Sequence, residues 1–209
     1  MKNTNINVGK MVRLAVLVAI ILVMSFTPLG YLRTPVIEIT FIMIPVAIAA
    51  IVIGPAGGAI AGGVFGVTSF IQCFGMSPFG AVLLSINPVY TFIICMIPRI
   101  IAGWLPGFIY RAVNRIGKNR TTSAISASLA APLLNTVLFV LTLYLLFGKT
   151  EFVMGFGERI WDGFVTIVGI NGLVEAGVGF IVGTTVSRAL VHFFPEQSSH
   201  GKTDERAAS

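Results

Sequence analysis

The chain has 209 residues, of which 56% are hydrophobic and only 11% charged, with a formal net charge of +6. Soluble domains carry about 25% charged residues, so this composition, with a mean hydropathy of +0.93, excludes an ordinary water-soluble globule and predicts an all-α membrane protein. The basic excess would suggest nucleic acid in a soluble chain; here loop orientation accounts for it, and no nucleic-acid role is expected. Cys73 and Cys95 are too few for a disulfide framework and read as free thiols in an apolar environment.

A spanning helix needs about 20 mostly apolar residues. Six segments meet or approach that length. The first covers about 11–28, after Lys2, Lys10 and Arg13. Ser25-Phe26-Thr27 is a poor small-x-small cleavage site, and five apolar segments follow, so this run reads as a span rather than a signal peptide. The second covers about 38–54 and ends at Gly54-Pro55; the third, 56–73; the fourth, 88–112, interrupted by Pro98 and Pro106. The fifth covers 123–147, with Thr122 or Ser123 as N-cap, and the sixth 163–191. Residues 74–87 are too apolar for an ordinary loop and too few to span, which suggests a capping or re-entrant segment. The organisation expected is one six-helix membrane domain over 1–192 and a polar, disordered tail over 193–209.

Lysines and arginines set the orientation. With the N-terminus inside, Lys2, Lys10, Arg13, Arg111, Arg115, Lys118, Arg120, Arg188, Lys202 and Arg206 are cytoplasmic, and Arg33, Lys149 and Arg159 are external. Both termini are then cytoplasmic, with external loops at about 29–37, 74–87 and 148–162.

Gly54, Gly58, Gly62 and Gly66 recur every fourth residue in GPAGGAIAGGVFG. An interior helical glycine costs roughly 1 kcal/mol relative to alanine. In lipid, however, helix association depends on close van der Waals contact, and small residues spaced by four mark contact faces. The stripe predicts a close approach, beginning with the second helix across a tight turn. Gly179 and Gly183 can act alike in the sixth helix. Ala15 and Ala19, four apart in the first, are either internal packing or a docking face for another membrane protein.

Two ionisable groups fall at mid-span, Arg99 and Glu175. A charge at the bilayer centre is disfavoured by roughly 2.5–3.5 kcal/mol, so each should face the interior and have a partner. Either they form a structural ion pair or they line a polar cavity. Asn135 and Asn171 can complete a polar cluster, since Asn171 and Glu175 share a helix face. Asn87 and Tyr90 lie at the outer end of the fourth helix, and Trp161 at that of the sixth, where it reads first as an interfacial anchor. Together these residues are candidates for a small-molecule cavity opening outward. No G-x-x-x-x-G-K-[ST] nucleotide loop and no G-x-S-x-G elbow occurs, and the only histidines are His192 and His200. An enzyme is not expected, nor a metal or covalent cofactor.

Ala15-x-x-x-Ala19, IPVAIAAIVIGPAGGAIAGGVFG, IPRIIAGWLPGFIYR, NTVLF and NGLVE resemble the substrate-binding S component of energy-coupling factor vitamin transporters, over residues 11–190. The resemblance implies high-affinity capture of a vitamin from outside, a membrane T component and two cytoplasmic ATPases as partners, and a T-component contact at Ala15 and Ala19. It is strongest for pantothenate-specific members, with folate or riboflavin types as alternatives. Pantothenate is a small carboxylate with hydroxyls and an amide, which Arg99, Asn135 and Asn171 are suited to bind. A stand-alone secondary transporter is the alternative class, though no inverted repeat is visible. A structural membrane subunit would need no cavity.

Overall fold

An apolar run in lipid has to close its backbone hydrogen bonds internally, and the helix is the local way to do so. The computed structural model describes residues 8–27, 30–33, 38–117, 119–150, 172–174, 177–181 and 184–185, with the backbone alone at 31–33 and 38–39. In chain order these form α1 (Val8–Phe26), β1 (Tyr31–Arg33), β2 (Glu38–Thr40), α2 (Met43–Val52), α3 (Pro55–Gln72), α4 (Pro78–Ile86), α5 (Pro88–Gly117) and α6 (Arg120–Phe147). Residues 172–174, 177–181 and 184–185 are also helical. Among the described residues, α1, α5 and α6 are long and apolar enough to cross a bilayer.

The fold adds detail to the expected segments and departs from some of them. The second segment is a helix only from Met43, ten residues long, or about 15 Å. The chain before it forms a two-stranded antiparallel hairpin with Tyr31 opposite Thr40 and Arg33 opposite Glu38, an addition to an otherwise helical architecture. The 74–87 stretch contains a nine-residue helix, α4, with Pro78 in its first turn and Ser77 as N-cap, its Oγ accepting from the Gly80 N–H at 3.3 Å. The cap of α6 is Asn119, not Thr122 or Ser123: its Oδ1 accepts from the N–H groups of Thr121 and Thr122 at 3.0 and 3.4 Å.

The glycine stripe of α3 meets α5 above all, rather than α2 alone. A Cβ on Gly58 would collide with the Gly103 carbonyl, and one on Gly103 with the Gly58 carbonyl. A Cβ on Gly62 would strike the Arg99 carbonyl, one on Gly66 would lie 2.8 Å from the Cys95 carbonyl, and one on Gly107 would lie 2.6 Å from Pro55 N. As the number rises on α3 it falls on α5, so the two helices run antiparallel with backbone against backbone. Ala50 of α2 shares the Gly58 contact at 2.7 Å. Gly54 starts α3 at φ +110°, a conformation that glycine adopts without a Cβ penalty, and Pro55 follows at the first helical position.

A short polar seam ties α1 to α3. Ser25 Oγ lies 2.7 Å from the Ile21 carbonyl and 3.0 Å from Thr68 Oγ1, while Gln72 Nε2 donates to the Ser25 carbonyl. All three side chains are buried. Elsewhere the interior is built from small residues such as Ala47, Ala49, Ala61, Ala102 and Ala131, with Phe65, Ile21 and Ile42 filling the wider gaps. Large apolar side chains face outward: Val12, Val16, Val23, Ile60, Ile71, Ile97, Trp104, Leu141 and Leu145 are all exposed. Water would not tolerate so continuous an apolar belt on a monomer. Lipid does, and small-inside, large-outside is the pattern that close helix packing in lipid produces. Ala15 and Ala19 are exposed on α1, away from the buried Leu17, Ile21 and Ser25. Among the described residues they are not part of the packed interior.

Two adjacent glycines give a direct test of the seam. Gly62→Leu should destabilise the protein strongly, beyond the 1–3 kcal/mol typical of overpacking, because the obstacle is backbone. At Gly63 a Cβ would meet only Ile100 Cγ1 at 3.8 Å, so Gly63→Ala should be neutral or raise the melting temperature in detergent.

Candidate functional site

Proline shapes the chemistry of this bundle. A helix-interior proline has no N–H for the carbonyl four residues earlier. Pro98 therefore leaves the Ile94 carbonyl without its usual partner in α5, and Arg99 supplies one: its Nη1 donates to Ile94 O at 2.5 Å. The guanidinium carbon lies 5.5 Å from the Phe65 ring centroid and 5.1 Å from that of Phe139, within cation–π range of both. Arg99 Nε is buried without a hydrogen-bond partner. The guanidinium thus bridges α3, α5 and α6, with donor capacity to spare.

Pro132 does the same to Ser128 in α6, with a different outcome. Gly179 faces the freed Ser128 carbonyl; a Cβ at 179 would stand 2.7 Å from that oxygen. The Ser128 side chain is buried, and its Oγ also has no partner. These groups line a crevice of about 10 Å³ together with Thr40 and Phe41 at the end of the hairpin, Met43, Ile44 and Ala47 of α2, Pro132, and Val178. That is roughly one water's worth of room. Two turns further along α6, Asn135 is 8% exposed and its Oδ1 has no partner. Asn135 and Phe139 are four apart and share a helix face, so the unsatisfied amide and the guanidinium lie along the same side of α6.

Non-helical backbone at membrane depth is tolerated where it is buried in protein or lines a cavity. Residues 41–42, between β2 and α2, are buried in protein in this way: Ile42 is fully buried with Leu17, Ile21 and Val46. Ser128 and Thr40 were not among the residues singled out from sequence. The only signals for them were Pro132, four residues after a serine, and an apolar loop bounded by prolines.

The remaining sequence candidates divide. Asn87 is occupied locally: its Oδ1 accepts from the N–H groups of Val89 and Tyr90 at 3.0 and 3.1 Å, capping α5. Tyr90 is exposed and stands edge-on to Phe147, with ring centroids 6.0 Å apart. Asn171, Glu175 and Trp161 lie outside the described residues, as does Gly183. Cys73 and Cys95, 22 positions apart in sequence, are buried neighbours with sulfurs 3.9 Å apart.

Residues 9–187 match the family described as ECF transporter, substrate-specific component. The chain belongs to that family: it is the substrate-binding component of a membrane transporter, a multi-pass protein of the cell membrane, and not an enzyme. Over 166 residues it is 31% identical to the pantothenic acid transporter PanT of Lactococcus lactis subsp. cremoris (strain MG1363), covering 72% of this chain and 76% of that relative.

The Arg99 contact to Ile94 can be measured by a double-mutant cycle. Arg99→Ala should cost roughly 1–3 kcal/mol, the usual penalty for a buried carbonyl left unpaired. In a Pro98→Ala background the restored N–H takes over that carbonyl, and the cost of Arg99→Ala should fall by about half or more. Strictly additive losses in denaturant unfolding would show that the two residues do not serve the same carbonyl.

Proposed function

We propose that this chain is the pantothenate-binding S component of an ECF-type importer, with six spans, both termini cytoplasmic, and transport driven by a T component and two ATPase subunits. The observation that carries this reading is the 31% identity, over most of both chains, to a pantothenic acid transporter. The chemistry along α6 supports it. Pantothenate presents a carboxylate, an amide and hydroxyls, while the bundle holds an arginine with an unpaired Nε, an unpaired Asn135 amide oxygen and an unpaired Ser128 hydroxyl. A buried polar atom without a partner costs about 1–3 kcal/mol, and a ligand that satisfies several of them recovers that energy on binding. Asn171 and Glu175 remain part of this proposed site, Glu175 as a second partner for Arg99; Asn87, Tyr90 and Trp161 would stand at its outer rim.

With room for only about 10 Å³, the walls must separate before a vitamin enters. The hairpin and the chain around Val178 and Gly179 are the elements facing α6 across that gap. Ala15 and Ala19 form the proposed T-component face, since two small side chains on an exposed helix surface permit close approach by a partner helix.

Mass spectrometry of small molecules released from the purified protein should recover pantothenate. Arg99→Ala should weaken binding of pantothenate at least tenfold more than binding of its neutral alcohol analogue, given that charge-assisted bonds contribute roughly 1.5–3 kcal/mol; equal losses would leave Arg99 only its structural role in α5. Ala15→Trp combined with Ala19→Trp should leave affinity within about twofold, the small effect usual for surface substitutions, while abolishing uptake in cells. Loss of both properties, or of neither, would remove the docking role.

A further inference from the structure

We infer that the crevice at Ser128 is the subsite that takes the hydroxyl-bearing end of the ligand, an inference that rests on the pantothenate reading and assigns part of its recognition to particular atoms. Ser128 offers two oxygens at one point, a hydroxyl with no partner and a carbonyl for which Pro132 has no N–H. The side chain is only 2% exposed, so bulk water does not reach these groups freely. A hydroxyl group both donates and accepts; it can donate to the freed carbonyl while accepting from Ser128 Oγ. A carboxylate cannot donate, and a hydrocarbon can do neither.

Size and surroundings agree. The cavity of about 10 Å³ admits one oxygen-sized group, which is a water or a ligand hydroxyl. Around it, Phe41, Ile44 and Pro132 supply apolar walls for the branched carbon skeleton that carries the hydroxyls. Gly179 lets the chain at 177–181 come close to this point of α6, for the Cβ of any other residue would press on the Ser128 carbonyl oxygen from 2.7 Å. Ser128 and Asn135 share a face of α6 seven residues apart, about 10 Å along the axis. A ligand with hydroxyls at one end and a charged or amide group towards the other can bridge the two.

The test uses the purified full chain and two probes: pantothenate, and an N-acyl β-alanine with the same branched acyl chain but no hydroxyls. The wild type should bind the hydroxyl-free probe more weakly. Ser128→Ala should reduce pantothenate affinity about tenfold, or one good hydrogen bond, and leave the hydroxyl-free probe within about twofold; Ser128→Thr should restore pantothenate binding. Pro132→Ala reaches the same subsite without altering Ser128 and should strengthen α6: its new N–H claims the carbonyl, so pantothenate should weaken again and the hydroxyl-free probe should not. If both probes weaken equally in these variants, or neither does, Ser128 serves structure or water only and the subsite is refuted. If wild-type protein binds the two probes equally, the hydroxyls are not read here, and the inference fails while the pantothenate reading stands. If wild-type protein binds no pantothenate, that reading fails and takes the subsite with it.

Discussion

The contact on which the rest of the structure depends is backbone on backbone, between α3 and α5. In lipid there is no hydrophobic gain from bringing two apolar helices together, so the drive has to come from dispersion and from weak carbonyl contacts at short range. Gly58, Gly62, Gly66, Gly103 and Gly107 remove the side chains that would hold the axes apart. Once this pair is fixed, α1 and α2 pack against α3, and α6 lies against α5. Larger residues then fill only the gaps that the close pair cannot close, as Phe65 does beneath Arg99.

That closeness explains why the polar chemistry is concentrated where it is. A tightly packed seam leaves no room for a solvated charge, and Arg99 survives in it by serving the helix itself. It satisfies the carbonyl that Pro98 frees and lies against two rings. In α6 Pro132 likewise offers no N–H to the Ser128 carbonyl, and the Ser128 hydroxyl beside it is unpaired. The first of these carbonyls is met by a guanidinium, and the second belongs to a residue that lines a cavity.

Helix α1 divides its surface in the same spirit. Its inward face is anchored by Ser25 to Thr68 and Gln72, which fixes the rotation of the helix about its axis. That rotation turns Ala15 and Ala19 outward, among exposed Val16, Ile20 and Val23.

Class, membrane location and most helices were legible in the sequence, because apolar length and composition are local properties that lipid enforces residue by residue. The glycine period announced a close approach, and mid-span Arg99 and Asn135 announced a polar interior. What the sequence could not fix was which surfaces meet. The stripe's main partner proved to be α5, the cap of α6 proved to be Asn119, and the second segment is helical only from Met43, its first three residues joining a hairpin. Cys73 and Cys95 became neighbours, and Ser128 became part of a cavity through an unpaired hydroxyl and the proline four residues on. Each of these depends on the rotation and register of one helix against another, set by summed contacts across the bundle, and no stretch of sequence contains both sides of such a contact.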